Sequence, residues 1–426
     1  MDDKREEYMD FNFSEDGASL SAENGIEWTQ AIRVISPPLR AEINGDVKIV
    51  FDAPGMTRAK VLCWLPDASS APAAPDSDAA QGNPQPQLWE RGRDVEVMPP
   101  RQLGDNETAD FIFHAGDFPN GPTTLRICAA NAEKKTRDIF ELQLFNTGGF
   151  TSNQGVPARH PPAAAGMKLA FADDFNSALS VSKDGCGATY CSHKPKQGDF
   201  SGWRFSDPAD FPGAHNPFAI IGTFLRIRAS KTGSDAEQSG TGLLSSARMD
   251  GSGFFAKAPC YFECRFTAQC APGTWPAFWT LTNMEPGKPG DELDIVEAYG
   301  GFGKGNPNHP GYSIVSHFWR QEDPAGAAKK NFSRRVPIAE LGNKTRWSHA
   351  FHTYAVRVGL EDTVYFFDDI EVLRHPTNGI SRDTPHFFLI NYAIGGISGW
   401  PIDLARYGDA SDMYVDYIRV YQGERP

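Results

Sequence analysis

Short runs of alternating polar and apolar residues recur along the whole chain. Asp46–Phe51 and Ala59–Trp64 alternate in this way, and Phe111–Phe113, Thr124–Cys128 and Phe140–Phe145 follow between Gly, Pro and Asn. A period of two sends one set of side chains to a buried face and the other to solvent, the signature of a half-buried strand. Strands at this density within 1–147 predict a small immunoglobulin-like β-sandwich carrying a polar N-terminal tail. The Ala-, Pro-, Ser- and Asp-rich tract from Pro66 to Gln87 has too little apolar material to pack and predicts a long loop. Residues 148–166 end in a Pro- and Ala-rich stretch closed by Gly166 and predict an interdomain linker, so a chain starting near Gly166 is expected to fold alone. From 167 to 426 strand again follows strand. Val364–Phe367, Asp368, Asp369 and Ile370–Leu373 predict a hairpin whose turn uses the tolerance of Asp for unusual backbone angles. Met413–Tyr421 predicts a closing strand. Helical periodicity is weak, with single turns expected at Ile338–Leu341 and Asp403–Tyr407. The pattern is all-β, in two domains.

Composition narrows the function. The chain of 426 residues carries a net charge of −13 and no basic stripe, which excludes nucleic acid as a partner. No apolar run is long enough to span a bilayer. The charged start, Met1–Glu7, does not read as a signal peptide, so the chain is either cytosolic or shorn of an export signal. Seven cysteines without a paired CxxC motif argue against zinc. Cys186 and Cys191 are close enough for a small-loop disulfide, and buried or reduced thiols fit as well.

The segment from Asp291 to Glu297 carries the most chemistry. Glu292 and Asp294 share one face of a strand, with Leu293 and Ile295 on the other. Strict alternation would send Glu297 to the apolar side, where a charge is costly. One inserted residue, a β-bulge near Ile295 and Val296, returns Glu297 to the acidic face. A row of three carboxylates persists where solvent is close, where a cation neutralises it, or where some acids hold protons. Taken alone, the segment serves equally as a solvent-facing acidic strand, a calcium site or a catalytic set. Aromatic residues surround it in sequence: Trp275 and Trp279 upstream, His317 and Trp319 downstream, then Trp400. Indole rings suit the apolar faces of sugars, although any single Trp is more often core.

In order, Phe171–Phe175, Gly273–Trp279, Glu292–Glu297, Phe351–Val356, Phe387–Gly396 and Tyr414–Tyr421 resemble glycoside hydrolase family 16, the laminarinase-type group. The resemblance covers about 60% of the chain, 167–424. It implies a concave β-jelly-roll sandwich with a cleft, and endo-acting, retaining hydrolysis of a β-linked polysaccharide or oligosaccharide. By position, Glu292 is implied as nucleophile, Glu297 as acid/base and Asp294 as the assisting acid between them. His317 resembles the family's cleft histidine; Trp275, Trp279 and Trp400 are expected along the subsites, with Trp203 and Asn216 toward the glycone side. No cofactor is expected for catalysis. A structural calcium is implied between the first and last strands at Asp174 and Asp416. β-1,3-Glucan is the favoured substrate. A β-linked galactan is the alternative, suggested by Glu297-Ala-Tyr-Gly300 and the longer loop at Ile397 and Ser398, and a lectin-like binder is a third reading. A polymeric substrate implies a secreted, cell-surface or periplasmic protein, expected to be a monomer.

Overall fold

The structure is a computed structural model that describes residues 27–67, 92–104, 107–151, 160–195, 204–205, 216–231, 239–282, 285, 287–301, 311–341, 345–395 and 402–424. Among them helix is confined to a few short turns, and no helix is long and apolar enough to cross a membrane. The N-terminal part has a six-stranded and a three-stranded sheet. The alternating segments become strands at Asp46–Asp52, Arg58–Pro66, Thr108–His114, Gly121–Asn131 and Thr136–Asn146. The tail before Glu27 and most of the loop expected at Pro66–Gln87 lie outside the described residues.

The C-terminal part is a jelly-roll sandwich of an eight-stranded and a ten-stranded sheet. Phe262, Phe266, Ile418 and Val420 from one sheet share a core with Phe278, Leu293, Ile295, Val296 and Ile390 from the other. Burying one face of each sheet against the other is the main source of stability in such a fold. The expected hairpin forms between Asp362–Phe367 and Ile370–Pro376. Asp368 and Asp369 take φ of 47° and 64°, the left-handed geometry a two-residue hairpin turn demands. The closing strand runs Ala410–Gln422 and pairs with Lys168–Asp173, Phe224–Lys231 and Cys260–Ala268.

The two parts meet along the strand Thr136–Asn146. Glu141, fully buried, accepts hydrogen bonds from Ser348 Oγ at 2.8 Å and the Cys270 N–H at 3.0 Å, and lies 3.1 Å from His349 Nε2. Arg406 holds Asp138 at 2.8 Å, Arg40 donates to the Tyr407 carbonyl at 2.6 Å, and Phe140 stacks on Tyr407 at 4.9 Å. The seam is therefore packed and polar, not a bare tether, and the expectation that the C-terminal part stands alone has to contend with it.

Candidate active site

The acids lie on the strand Gly290–Glu297, between Thr274–Leu281 and Tyr312–Trp319 in the eight-stranded sheet. Its registers carry the bulge inferred from the residue pattern. Phe278 pairs with Val296 and the next residue, Trp279, pairs with Asp294, so Ile295 is the extra residue. On the other side the register shifts between Asp294 and Glu297. The bulge lets Leu293, Ile295 and Val296 all enter the core, while Glu292 and Glu297 stay partly open and Asp294 is 5% exposed.

Burial raises the proton affinity of all three acids, because a carboxylate loses more hydration than a carboxylic acid. Asp294 is pushed well above the usual range by desolvation, then by the charges of Glu297 and Glu292. Glu297 is pushed up to about 7, first by desolvation and then by the Glu292 charge, with Trp275 and Tyr299 hydrogen-bonding in the opposite sense. Desolvation also raises Glu292, and here the Lys194 cation and a hydrogen bond from Trp319 work against it. All three acids are thus inclined to keep their protons, and Glu292 alone of the three has a cation acting against that tendency.

His317 sits directly across the strand pair from Glu292, and its Nε2 lies 3.4 Å from Asp294 Oδ2. Burial lowers its proton affinity and favours the neutral ring. Trp275 and Trp279 belong to an apolar cluster with Phe205, Leu389 and Tyr299 on the acid side of the sheet. They are only 8% and 5% exposed, so little ring face is open to a sugar. Trp275 stacks on Tyr299 at 5.0 Å, and Trp279 Nε1 donates to Asn391 Oδ1 at 2.8 Å. Trp203 and Trp400, with the loop at Ile397 and Ser398, lie outside the described residues. Asn216 stands ahead of a strand of the ten-stranded sheet, and its Oδ1 accepts the Phe218 N–H at 2.9 Å.

The calcium expectation is corrected. Arg419 donates to Asp174 at 2.9 Å and Arg265 to Asp416 at 2.6 Å. A dication there would face two guanidinium groups, so these residues do not fit calcium; arginine supplies the positive charge instead.

Reading by residue type gave no individual role to four contributors. Tyr299 could have been found as the next same-side residue after Glu297. Trp319, two residues beyond His317, stacks on that ring at 4.8 Å and remains 47% exposed. Lys194 comes from a distant loop and left no local signal. Asp291, next to the nucleophile candidate, points away from the acid row. It accepts from Gln321 at 2.6 Å, Asn378 at 2.8 Å and the Ser381 hydroxyl and N–H at 2.6 and 2.9 Å. It anchors the start of the acid strand.

No family model matches the chain. Among curated proteins it is similar to the endo-1,3-1,4-beta-glycanase EglC of Rhizobium meliloti (strain 1021), 31% identical over 59% of this chain and 51% of that protein. The endo-1,3-1,4-beta-glycanase ExsH of the same organism is 28% identical over 55% of this chain and 45% of its own length. The chain thus spans about half the length of the curated relatives it matches. Among solved structures, a laminarinase from Flavobacterium sp. UMI-01 aligns over 60% of this chain and 100% of its own, at 21% identity and a TM-score of 0.44. Both curated relatives are named as β-glycanases, an activity of the kind that the resemblance to glycoside hydrolase family 16 implies.

Proposed function

We propose that the chain is an endo-acting, retaining glycoside hydrolase of a β-1,3-glucan, working outside the cell. The observation that carries this reading is the bulged strand, which turns Glu292, Asp294 and Glu297 to one side, with the Lys194 cation acting on Glu292 alone of the three. Two carboxyl groups in opposite protonation states are what the double displacement needs. Glu292, its charge supported by Lys194 and Trp319, attacks the anomeric carbon as Glu297 protonates the departing oxygen. A glycosyl ester on Glu292 results. Glu297, now a carboxylate, takes a proton from water as that water cleaves the ester, and both residues return to their starting states. Asp294, protonated, would add no third charge between the two glutamates. Trp275, Trp279 and His317 would border the bound glycan. The relatives' names, endo-1,3-1,4-beta-glycanase, favour glucan over galactan.

Reducing-sugar release from laminarin, mixed-linkage β-glucan and agar-type galactan tests the substrate. Cleavage of laminarin supports the proposal; cleavage of galactan alone moves the substrate, and binding without release makes the protein a lectin. Proton NMR of the first product should show the β anomer. An initial α anomer, or carboxyl groups more than about 6.5 Å apart in a complex, means inversion.

A further inference from the structure

Which nitrogen of His317 carries the proton is decided by hydrogen bonds to Asn331. The Phe318 N–H donates to Asn331 Oδ1 at 3.3 Å, which turns the amide nitrogen toward the imidazole. Asn331 Nδ2 then lies 2.8 Å from His317 Nδ1 and donates to it. A ring nitrogen that accepts a hydrogen bond through its lone pair carries no hydrogen, so the neutral ring has its proton on Nε2. That nitrogen is the one facing Asp294 Oδ2 at 3.4 Å. Stacking on Trp319, with an interplanar angle of 15°, holds the ring plane.

We propose that Asn331 is a positioning residue that fixes His317 in the Nε2–H tautomer, so that the ring donates to Asp294. The alternative tautomer would aim a lone pair at Asp294, and the Asp294 proton would turn toward the imidazole. With Nε2–H in place, one Asp294 oxygen is already an acceptor and the acid's own proton is left for the flanking glutamates. Asn331 lies just before the strand Phe332–Val336 and next to the Ser316–Phe332 pair, which brings it level with His317. The catalytic consequence rests on the hydrolase reading above; the tautomer does not.

Long-range proton–nitrogen NMR of the full chain labelled with ¹⁵N-histidine tests it, with the His317 signals identified by their loss in His317→Asn. The expected pattern is an unprotonated Nδ1 and a protonated Nε2. Asn331→Asp, whose carboxylate can only accept, should protonate Nδ1 and lower kcat about tenfold, the worth of one hydrogen bond, with KM little changed. Asn331→Ala should give mixed tautomers and a smaller loss. A protonated Nδ1 in the wild type overturns the proposal. So does an altered nitrogen pattern in Asn331→Asp with unchanged kcat on a substrate the wild type cleaves. Unchanged signals from the other histidines verify that each variant is folded. If no glycan is cleaved, the hydrolase reading fails while the nitrogen spectra still decide the tautomer.

Discussion

Glu297 and Glu263 are two glutamates pushed up to about 7 by the same causes, burial first and a neighbouring carboxylate second. Glu297 ends the acid strand, partly open, facing Trp275 and Tyr299, with Glu292 as its charged neighbour. Glu263 belongs to the ten-stranded sheet, is fully buried, accepts from Tyr261 Oη at 2.9 Å, and has Asp369 nearby. Tyr261 in turn packs with Ala164 and Tyr421. A raised proton affinity therefore does not mark a catalytic acid by itself. What separates the two is access: an acid can donate only to an oxygen that can come within hydrogen-bonding distance. Glu141 is a third case, raised mainly by burial but engaged at the seam by Ser348, His349 and the Cys270 N–H.

The comparison can be broken at each glutamate. The largest effect is expected at the partner of Glu297. Glu292→Gln should stay folded and lose activity by on the order of 10⁴-fold or more, because no other group can form the glycosyl ester. Measurable turnover within tenfold of wild type would remove Glu292 from that role. Next, Glu297→Gln should cost roughly 10²–10⁴-fold on natural glycan and much less on substrates with good leaving groups. In the wild type, activity should fall as pH rises through about 7, where Glu297 loses its proton.

Stability follows from the same affinity. Folded Glu297 binds its proton more tightly than the unfolded chain, whose ordinary value is 4.5. Below that pH both states are protonated and there is no difference. Between 4.5 and about 7 the unfolded state ionises while the folded state resists, so the residue destabilises the fold progressively, and fully above about 7. Glu297→Gln should therefore raise Tm at pH 8 and leave it unchanged near pH 4. A Tm gain independent of pH would assign the effect to packing instead.

Smaller changes test the other two sites. Glu141→Ala should lower stability by about 1–3 kcal/mol, since the Cys270 N–H and Ser348 lose a buried acceptor. No loss on denaturant titration would make the seam incidental and restore residues 148–166 as a simple linker. Glu263→Gln should reproduce the pH-dependent Tm gain with unchanged kcat; a fall in kcat would show that the far sheet reaches the acid row. The smallest expected effect is none: EDTA should leave Tm unmoved, because Arg419 and Arg265 neutralise Asp174 and Asp416. A drop reversed by calcium would reinstate the cation.

Much of this architecture was legible along the chain because strand periodicity and hairpin chemistry are local. The misfit of Glu297 to strict alternation was enough to infer the bulge, since a charged residue inside a run of Leu, Ile and Val has few inexpensive solutions. The Asp368–Asp369 turn was readable for a similar reason, as few residues tolerate consecutive left-handed angles. The calcium expectation failed because Asp174 and Asp416 look the same in sequence whether a metal or a guanidinium lies opposite. The partner arginines are 245 and 151 residues away.

By itself, then, the amino-acid order determined the strands and the face each acid occupies. These depend on neighbours one to four residues apart, where geometry is set by the backbone. Only the tertiary structure decided which acid keeps water within reach, which cation supports Glu292, and which tautomer His317 adopts. Lys194 reaches Glu292 from a distant loop, and Asn331 reaches His317 only because two strands pair. Proton affinity and hydrogen-bond direction depend on burial and on charges brought together across the fold, and no local pattern encodes those distances.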